Sequence, residues 1–372
     1  MRLLIAGGRL QAVEAVYLAK KLGWETVVLD RRPGAEAAGM GDEFYCCAAE
    51  DEDTVLPVVK SADAVLPALE NLPALLRLEG YCRRAGTPFL FDTRAYRLSS
   101  SKLRSDAFFR KNGVPAPRYY PAAGFPLVLK PDGQSGSAGV RVIRGPAELD
   151  LRAAAGWVLQ EYLAGRSYSL EVVGDGRRFE LLQVTEIITD REHDCKCVLA
   201  GDGIPADVAR EFAALGQKLG ELIRIRGVFD IEVIAAEGGL RVLEIDARLP
   251  SQTPVCVYHS RGVNILERMY AWLVKAQAEP PAAPGAVKAA MYKQIHVAGT
   301  GVVSRGERIL TGRGPLRIQE GLFGADCMIT DHAPSKEEWV AAVIVTGRTR
   351  AAAAEKFRGV IKRIGCGPCE EG

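Results

Sequence analysis

Between residues 228 and 248 the chain reads Val228-Phe-Asp230-Ile-Glu232-Val-Ile-Ala-Ala236-Glu237-Gly238-Gly239-Leu240-Arg-Val-Leu-Glu244-Ile-Asp246-Ala-Arg248. Two runs of period two flank a glycine turn, which specifies an antiparallel β-hairpin. Pairing Ala236 with Leu240 across a three-residue turn sets Glu232 opposite Glu244 and Asp230 opposite Asp246, all on one face. Ile231, Val233, Leu243 and Ile245 take the other. Like charges facing each other across a ladder destabilise it and raise one another's pKa, so four carboxylates in one patch call for a cation. An exposed acidic hairpin is the bland alternative. Oxygen-only ligands suit Mg²⁺, which bridges carboxylates to phosphate oxygens. Arg248, two residues past Asp246 on the same face, is placed to meet a phosphate or an acyl phosphate with a forked pair of hydrogen bonds.

The rest of the chain supplies phosphate-binding elements of a matching kind. Phe125-Pro-Leu-Val-Leu-Lys130-Pro-Asp-Gly133-Gln-Ser135-Gly136-Ser-Ala-Gly139-Val-Arg-Val-Ile143 places a lysine at a strand end, then a glycine-rich loop, then a returning strand. Backbone amides and an ammonium can fold over an anion there. This is not a P-loop, because the Gly-Lys-Ser/Thr order is absent and a strand follows the glycines. Trp157-Val-Leu-Gln160-Glu161-Tyr-Leu163 is an apolar strand ending in polar residues, able to offer backbone groups to an adenine edge.

Residues 1 to about 95 alternate strands (2–6, 26–29, 64–67, 89–91) with helices (12–22, 75–85), the pattern of a parallel sheet with covering helices. Gly7 and Gly8 after the first strand, and Asp30 ending the next, suggest a dinucleotide site, and a nicotinamide-dependent oxidoreductase is the competing reading. The G-x-G-x-x-G spacing is missing. A turn-rich segment, 92–101, and a helix from about Leu103 to Phe108 open a second domain, 96–278, with a lid over about 114–162 and helices at 206–223 and 264–276. A Pro/Ala-rich linker, 279–285, precedes a third region, 285–372, with strands 289–295 and 340–346 and a helix 350–364.

The 48 Lys+Arg and 46 Asp+Glu nearly cancel and are scattered, so the sequence carries no footprint for nucleic acid or a membrane surface. Small molecules are the expected partners. The nine cysteines are irregularly spaced and odd in number, which fits a reducing, cytoplasmic setting. Cys366-Gly-Pro-Cys369 has redox spacing but no strand before it or helix after it. His259, His296 and His332 lack metal spacing and read as structural.

In combination, Lys102 after Ser-Ser-Ser, Lys130 before the glycine loop, Gln160-Glu161-Tyr-Leu163, and Glu232 followed by Glu244-x-Asp246-x-Arg248 resemble the ATP-grasp superfamily over nearly the whole chain. The resemblance implies an α/β fold, α+β in its central part, with a Rossmann-like first domain, an ATP-grasp domain with a glycine-rich lid and a small C-terminal α+β domain. It also implies ATP and two Mg²⁺ ions, with Mn²⁺ able to substitute. By the same resemblance Lys102, Lys130 and Ser135 meet the phosphates, and Gln160, Glu161 and Leu163 the adenosine. Glu232, Glu244 and Asp246 hold metal, and Arg248 and Lys130 are catalytic. The superfamily usually has Asn where Asp246 stands. Gly7-Gly-Arg-Leu-Gln-Ala-Val-Glu14, Tyr17-Leu-Ala-Lys-Lys-Leu-Gly-Trp24, Leu29-Asp-Arg31, Pro67-Ala-Leu-Glu70-Asn71 and Glu244-Ile-Asp-Ala-Arg-Leu-Pro-Ser-Gln-Thr-Pro254 are similar to the pyrrolysine-biosynthesis ligase family, which shares the aspartate. That family joins the carboxylate of 3-methyl-D-ornithine to the side-chain amine of L-lysine. Cationic substrates of that kind, D-ornithine included, need carboxylates and polar groups, for which the candidates are Glu70, Asn71, Ser169, Glu171, Glu186, Asp230, Ser251 and Gln252. A monomer and a dimer both remain open.

Overall fold

The computed structural model describes residues 1–372 except 134, 135, 151–155, 278, 280–286, 300, 366–368 and 372. Ser135, Cys366 and most of the 279–285 linker therefore lie outside the described residues.

The first unit is a parallel sheet of β1 (Arg2–Ala6), β2 (Glu25–Asp30), β3 (Glu43–Cys46) and β4 (Ala64–Pro67) in the order β3-β2-β1-β4, with α1 (Leu10–Lys21), α2 (Glu52–Ser61) and α3 (Leu72–Ala85) covering it. Leu3, Leu4, Ile5 and Ala6 are all fully buried, as expected of a parallel strand covered on both faces. β3 and α2 were not legible as sequence patterns, and residues 89–91 form a single bridge from Phe89 to Val65 instead of a strand. The glycine turn is tied to its own sheet. A Cβ on Gly7 would sit 2.2 Å from the Ala68 carbonyl oxygen, and Asp30 is occupied by the Gly8 N–H at 2.7 Å and by Arg32. Both features lock the turn between strands.

α4 (Thr93–Ser99) is capped by Asp92, and α5 (Lys102–Lys111) by Ser101, whose hydroxyl accepts from the Arg104 N–H and donates to Asp132. These caps turn a segment that reads as loop into two short helices. The lid follows: β5 (Leu127–Pro131), β6 (Arg141–Ile143) and β7 (Trp157–Glu161), antiparallel in the order β6-β5-β7, on a small core of Ala123, Leu127, Leu129, Ile143 and Leu159.

The remaining elements build one large sheet. They are β8 (Arg166–Asp175), β9 (Phe179–Leu181), β10 (Thr185–Thr189), β11 (Cys195–Ala200), α6 (Ala206–Ile223), β12 (Arg226–Ala236), β13 (Gly239–Asp246), α7 (Thr253–Arg261), α8 (Ile265–Leu273), β14 (Ala289–Ala298), β15 (Gly301–Ser304), β16 (Arg317–Glu320), β17 (Cys327–Thr330), β18 (Glu338–Gly347) and α9 (Arg350–Ile364). The sheet runs β13-β12-β8-β10-β11-β14-β18-β17-β16. The C-terminal strands thus continue the central sheet through β11 and β14, where the sequence suggests a region set off by a linker. On one face Phe212, Leu215 and Leu219 of α6 pack against Tyr168, Leu170, Phe229 and Ile231. On the other, α7 and α8 pack against α1 of the first unit, with Val255, Cys256, Leu266 and Met269 sharing a core with Val13, Val16 and Tyr17. This second packing brings the first unit over the acidic face. Among the described residues no helix is long and apolar enough to cross a membrane.

The hairpin differs from its expected register in an instructive way. Ala236 pairs with Gly239 and Ala235 with Leu240, so the turn is one residue tighter than expected. A β-bulge between Glu232 and Val233 inserts Leu243 and restores Glu232↔Glu244 and Asp230↔Asp246. In consequence Val242, not Leu243, enters the core, fully buried beside Ile231, Val233 and Ile245. Gly238 closes the turn at φ 82°, and a Cβ there would meet only the Arg241 guanidinium at 3.5 Å. Gly238→Ala is therefore expected to lower stability by about 1–2 kcal/mol through left-handed strain alone. A denaturant midpoint equal to wild type would contradict this turn.

Candidate active site

The site is built on one face of β13, β12 and β8. Residues directly across a ladder share a face, which places Asp246, Asp230 and Glu171 in one row and Glu244, Glu232 and Ser169 in the next. Burial and the pressure of Glu244 and Asp246 push the Glu232 carboxyl up to about 8. Burial, with Glu244 and Glu70 added, raises Asp246 to about 7 despite Arg248, and burial together with Asp246 and Glu232 raises Asp230 well above the carboxylate range. Glu244 behaves oppositely: burial opposes its ionisation, but Lys102 outweighs it and the carboxyl lies below its ordinary value.

Two cations hold this array. The Lys102 ammonium, at the first turn of α5, lies 2.7 Å from Glu244. Burial lowers its affinity for the proton, and Glu244 more than restores it. Arg248 bonds Asp246 at 3.0 Å and Glu70 at 2.8 Å, and Gln11 of α1 donates to Glu70 at 2.6 Å. Lys130 stands at the end of β5 within the field of Lys102, Glu244, Glu232 and Asp106, and burial pushes its ammonium down. Asp106, not anticipated from the sequence, accepts from Gln160 at 2.9 Å and from the Tyr119 hydroxyl.

Other candidates fall differently. Asn71 caps α3 through the Ala74 N–H, and Glu161 is held by Arg118 at 2.7 Å, beside the half-buried Leu163. Glu186 must be corrected. It pairs with Tyr168 across β8, so it points away from the acids, where Arg166 and Arg350 neutralise it at 2.9 and 2.5 Å. His259 meets the Tyr17 hydroxyl at 2.7 Å, His296 meets Glu338, and His332 packs on Trp339.

Ser251 and Gln252 form the entrance to α7, expected as loop. Gln252 has φ 68° and ψ −53°, and the Thr253 N–H donates to the Ser251 carbonyl at 2.8 Å, which together define a γ-turn of the strained, positive-φ kind. Both side chains donate to Glu307, at 2.7 and 2.8 Å. Beside Thr253, Glu171 is fully buried, and neither of its oxygens has a hydrogen-bond partner, nor do Asp230 Oδ1 and the Ser169 hydroxyl. A buried carboxyl without a partner costs several times a typical hydrogen bond, so these groups are held at a cost in the empty protein.

Among the described residues no set of three His, Cys, Asp or Glu stands ready around a metal ion. The oxygen-only donors Glu232, Glu244 and Asp246, half-buried and repelling one another, nevertheless fit Mg²⁺ in chemistry.

The fold is that of an ATP-grasp enzyme, and the ATP-grasp domain family matches residues 99–252. Over 97% of this chain and 98% of the other, the fold superposes on N5-carboxyaminoimidazole ribonucleotide synthetase from Thermus thermophilus (TM-score 0.70, 18% identity). It also superposes on a biotin carboxylase–nucleotide complex from Campylobacter jejuni, over 97% and 91% of the two chains (TM-score 0.73, 15% identity). Two curated relatives, from Methanosarcina acetivorans and Methanosarcina barkeri, are 35% and 36% identical over 82% of this chain and 83% of their own, and both are named 3-methyl-D-ornithine–L-lysine ligase. The chain belongs to that ligase family within the ATP-grasp enzymes.

The Glu171 carboxyl, pushed by burial from 4.5 to about 7, provides a test of the pocket. Between these values the unfolded chain has lost a proton that the native protein keeps, so the group's contribution to stability falls as pH rises through that window. Glu171→Gln should melt progressively higher relative to wild type from pH 5 to pH 8 without ligands. A difference independent of pH would contradict the assignment.

Proposed function

We propose that the chain uses ATP to activate the carboxylate of (3R)-3-methyl-D-ornithine as an acyl phosphate and joins it to the ε-amine of L-lysine, releasing ADP and phosphate. The observation that carries this reading is the crowded acid array held by Lys102 and Arg248 in a chain 35% identical to the named ligases. Residues 96–278 take the nucleotide, and 1–95 and 285–372 flank the amino acids.

Lys102, Lys130 and Ser135 take the triphosphate, while Gln160, Glu161 and Leu163 border the adenosine. Glu232, Glu244 and Asp246 are the residues for two Mg²⁺ ions, with Mn²⁺ as a substitute. Bound there, the metal neutralises phosphate charge. A carboxylate oxygen attacks the γ-phosphorus in line and ADP leaves. The neutral amine then attacks the acyl carbon, phosphate departs with the bonding pair, and the amine sheds its proton. Arg248 offers forked donors to the charge that gathers on the acyl phosphate, and Glu70, steadied by Gln11, fixes the guanidinium plane. Glu171 and Asp230 receive a substrate ammonium, with Ser169 beside them. Closure of the lid keeps water from the mixed anhydride, and the lid residue Ser137 already donates to the His193 carbonyl at 2.8 Å.

Arg248→Ala is expected to reduce kcat by roughly 100-fold or more, as for loss of a preorganised donor, with the KM for ATP changed little. Phosphate release supplies the rates, and mass spectrometry of the product from ATP, L-lysine and D-ornithine supplies the bond. An amide between two α-amino acid termini, or unaltered turnover in the variant, would overturn the proposal.

A further inference from the structure

Helix α1 presents two polar side chains toward the sheet, one turn apart. Gln11 bonds Glu70 and so joins the Arg248 network. Glu14, a turn further on and only 2% exposed, accepts from the Tyr292 hydroxyl of β14 at 2.7 Å with Oε1 and is eased by the Gln252 backbone N–H, while Oε2 makes no hydrogen bond of ordinary geometry. Gln294, two residues along β14 and therefore on the same face as Tyr292, is fully buried with neither amide atom bonded. Glu307, the acceptor for Ser251 and Gln252, adds a second negative charge against Glu14.

Three independent elements thus point polar groups into one buried place: α1, β14 and the strained turn at Gln252. Helix packing does not require it, since α1 buries an otherwise apolar face of Val13, Val16 and Tyr17. An unpaired buried carboxyl oxygen and an idle amide are each destabilising in the empty protein. Their retention beside the strained Gln252 marks a binding pocket. Its polarity, two carboxylates with a hydroxyl and an amide, selects a primary ammonium with hydrogen-bonding neighbours.

We propose that Glu14, with Tyr292, Gln294 and Glu307, receives the ammonium of one of the two diamino-acid substrates and sets specificity for it. This assignment rests on the ligase reading above. A charge-assisted hydrogen bond to Glu14 would complete the free oxygen, and the Tyr292 hydroxyl would keep the carboxylate oriented.

Glu14→Gln is isosteric and keeps an acceptor for Tyr292, and Glu14→Asp keeps the charge but withdraws it by one methylene. Steady-state kinetics with ATP, L-lysine and D-ornithine should show the KM of one amino acid raised roughly tenfold or more in Glu14→Gln, the usual worth of a charged hydrogen bond. The rise should be smaller in Glu14→Asp, with the KM for ATP within about twofold of wild type. A rise for lysine identifies the amine donor as the occupant, and a rise for D-ornithine the carboxylate donor. If neither KM rises, or all three rise together, the pocket assignment is overturned. Wild-type product formation tests the ligase reading separately. Were it absent, calorimetric titration of each amino acid into wild type and Glu14→Gln would still decide the pocket, with equal affinities counting against it.

Discussion

The structure depends on a repulsion. Four carboxylates on β12 and β13 face one another across a ladder, away from the core, and neighbouring strand β8 adds a fifth at Glu171. Left alone they would split the hairpin or remain protonated, as the raised values of Glu232 and Asp246 show. Lys102 and Arg248 relieve part of the strain, and each draws on a distant part of the chain to do so. Lys102 is fixed by the Ser101 cap of α5, and Arg248 by Glu70 at the edge of the first sheet. The same charges that tie the hairpin to α5 and to the first unit are the ones a nucleotide and its metal would reorganise.

This explains why the first unit is pressed onto the acidic face. α1 is shared between the core of its own sheet and the surface of α7 and α8, so Gln11 and Glu14 reach across the boundary. The strained Gln252 turn lies where the first unit, the hairpin and the C-terminal strands converge, and its side chain is held by Glu307 and by the Cys195 thiol. A relaxed turn would be cheaper at an ordinary loop. Here it aims the Ser251 and Gln252 side chains together at Glu307.

Much of this was legible in the chain. Period-two alternation located the hairpin and its acids, and helix 350–364 followed from its apolar spacing. The tighter turn and compensating bulge were not, because both registers give the same acid pairs, and only packing of Val242 against the core distinguishes them. Glu186 was misplaced because β10 bears no sign in its sequence of which face meets α9 and Arg350. α7 was hidden behind Pro254 and a polar triplet. Glu14 lay inside a helix whose apolar neighbours suggested only packing, and its partner Tyr292 is 278 residues away.

The central claim is that the acid array is an ion and triphosphate site held closed by its own lysine. A crystal structure with Mg²⁺ and a non-hydrolysable ATP analogue addresses it most directly. The account predicts that Lys102 leaves Glu244 for a phosphate oxygen while Glu232 and Glu244 ligate metal beneath the lid. A Lys102–Glu244 pair intact beside bound nucleotide, with the acids remote from any ion, would contradict it.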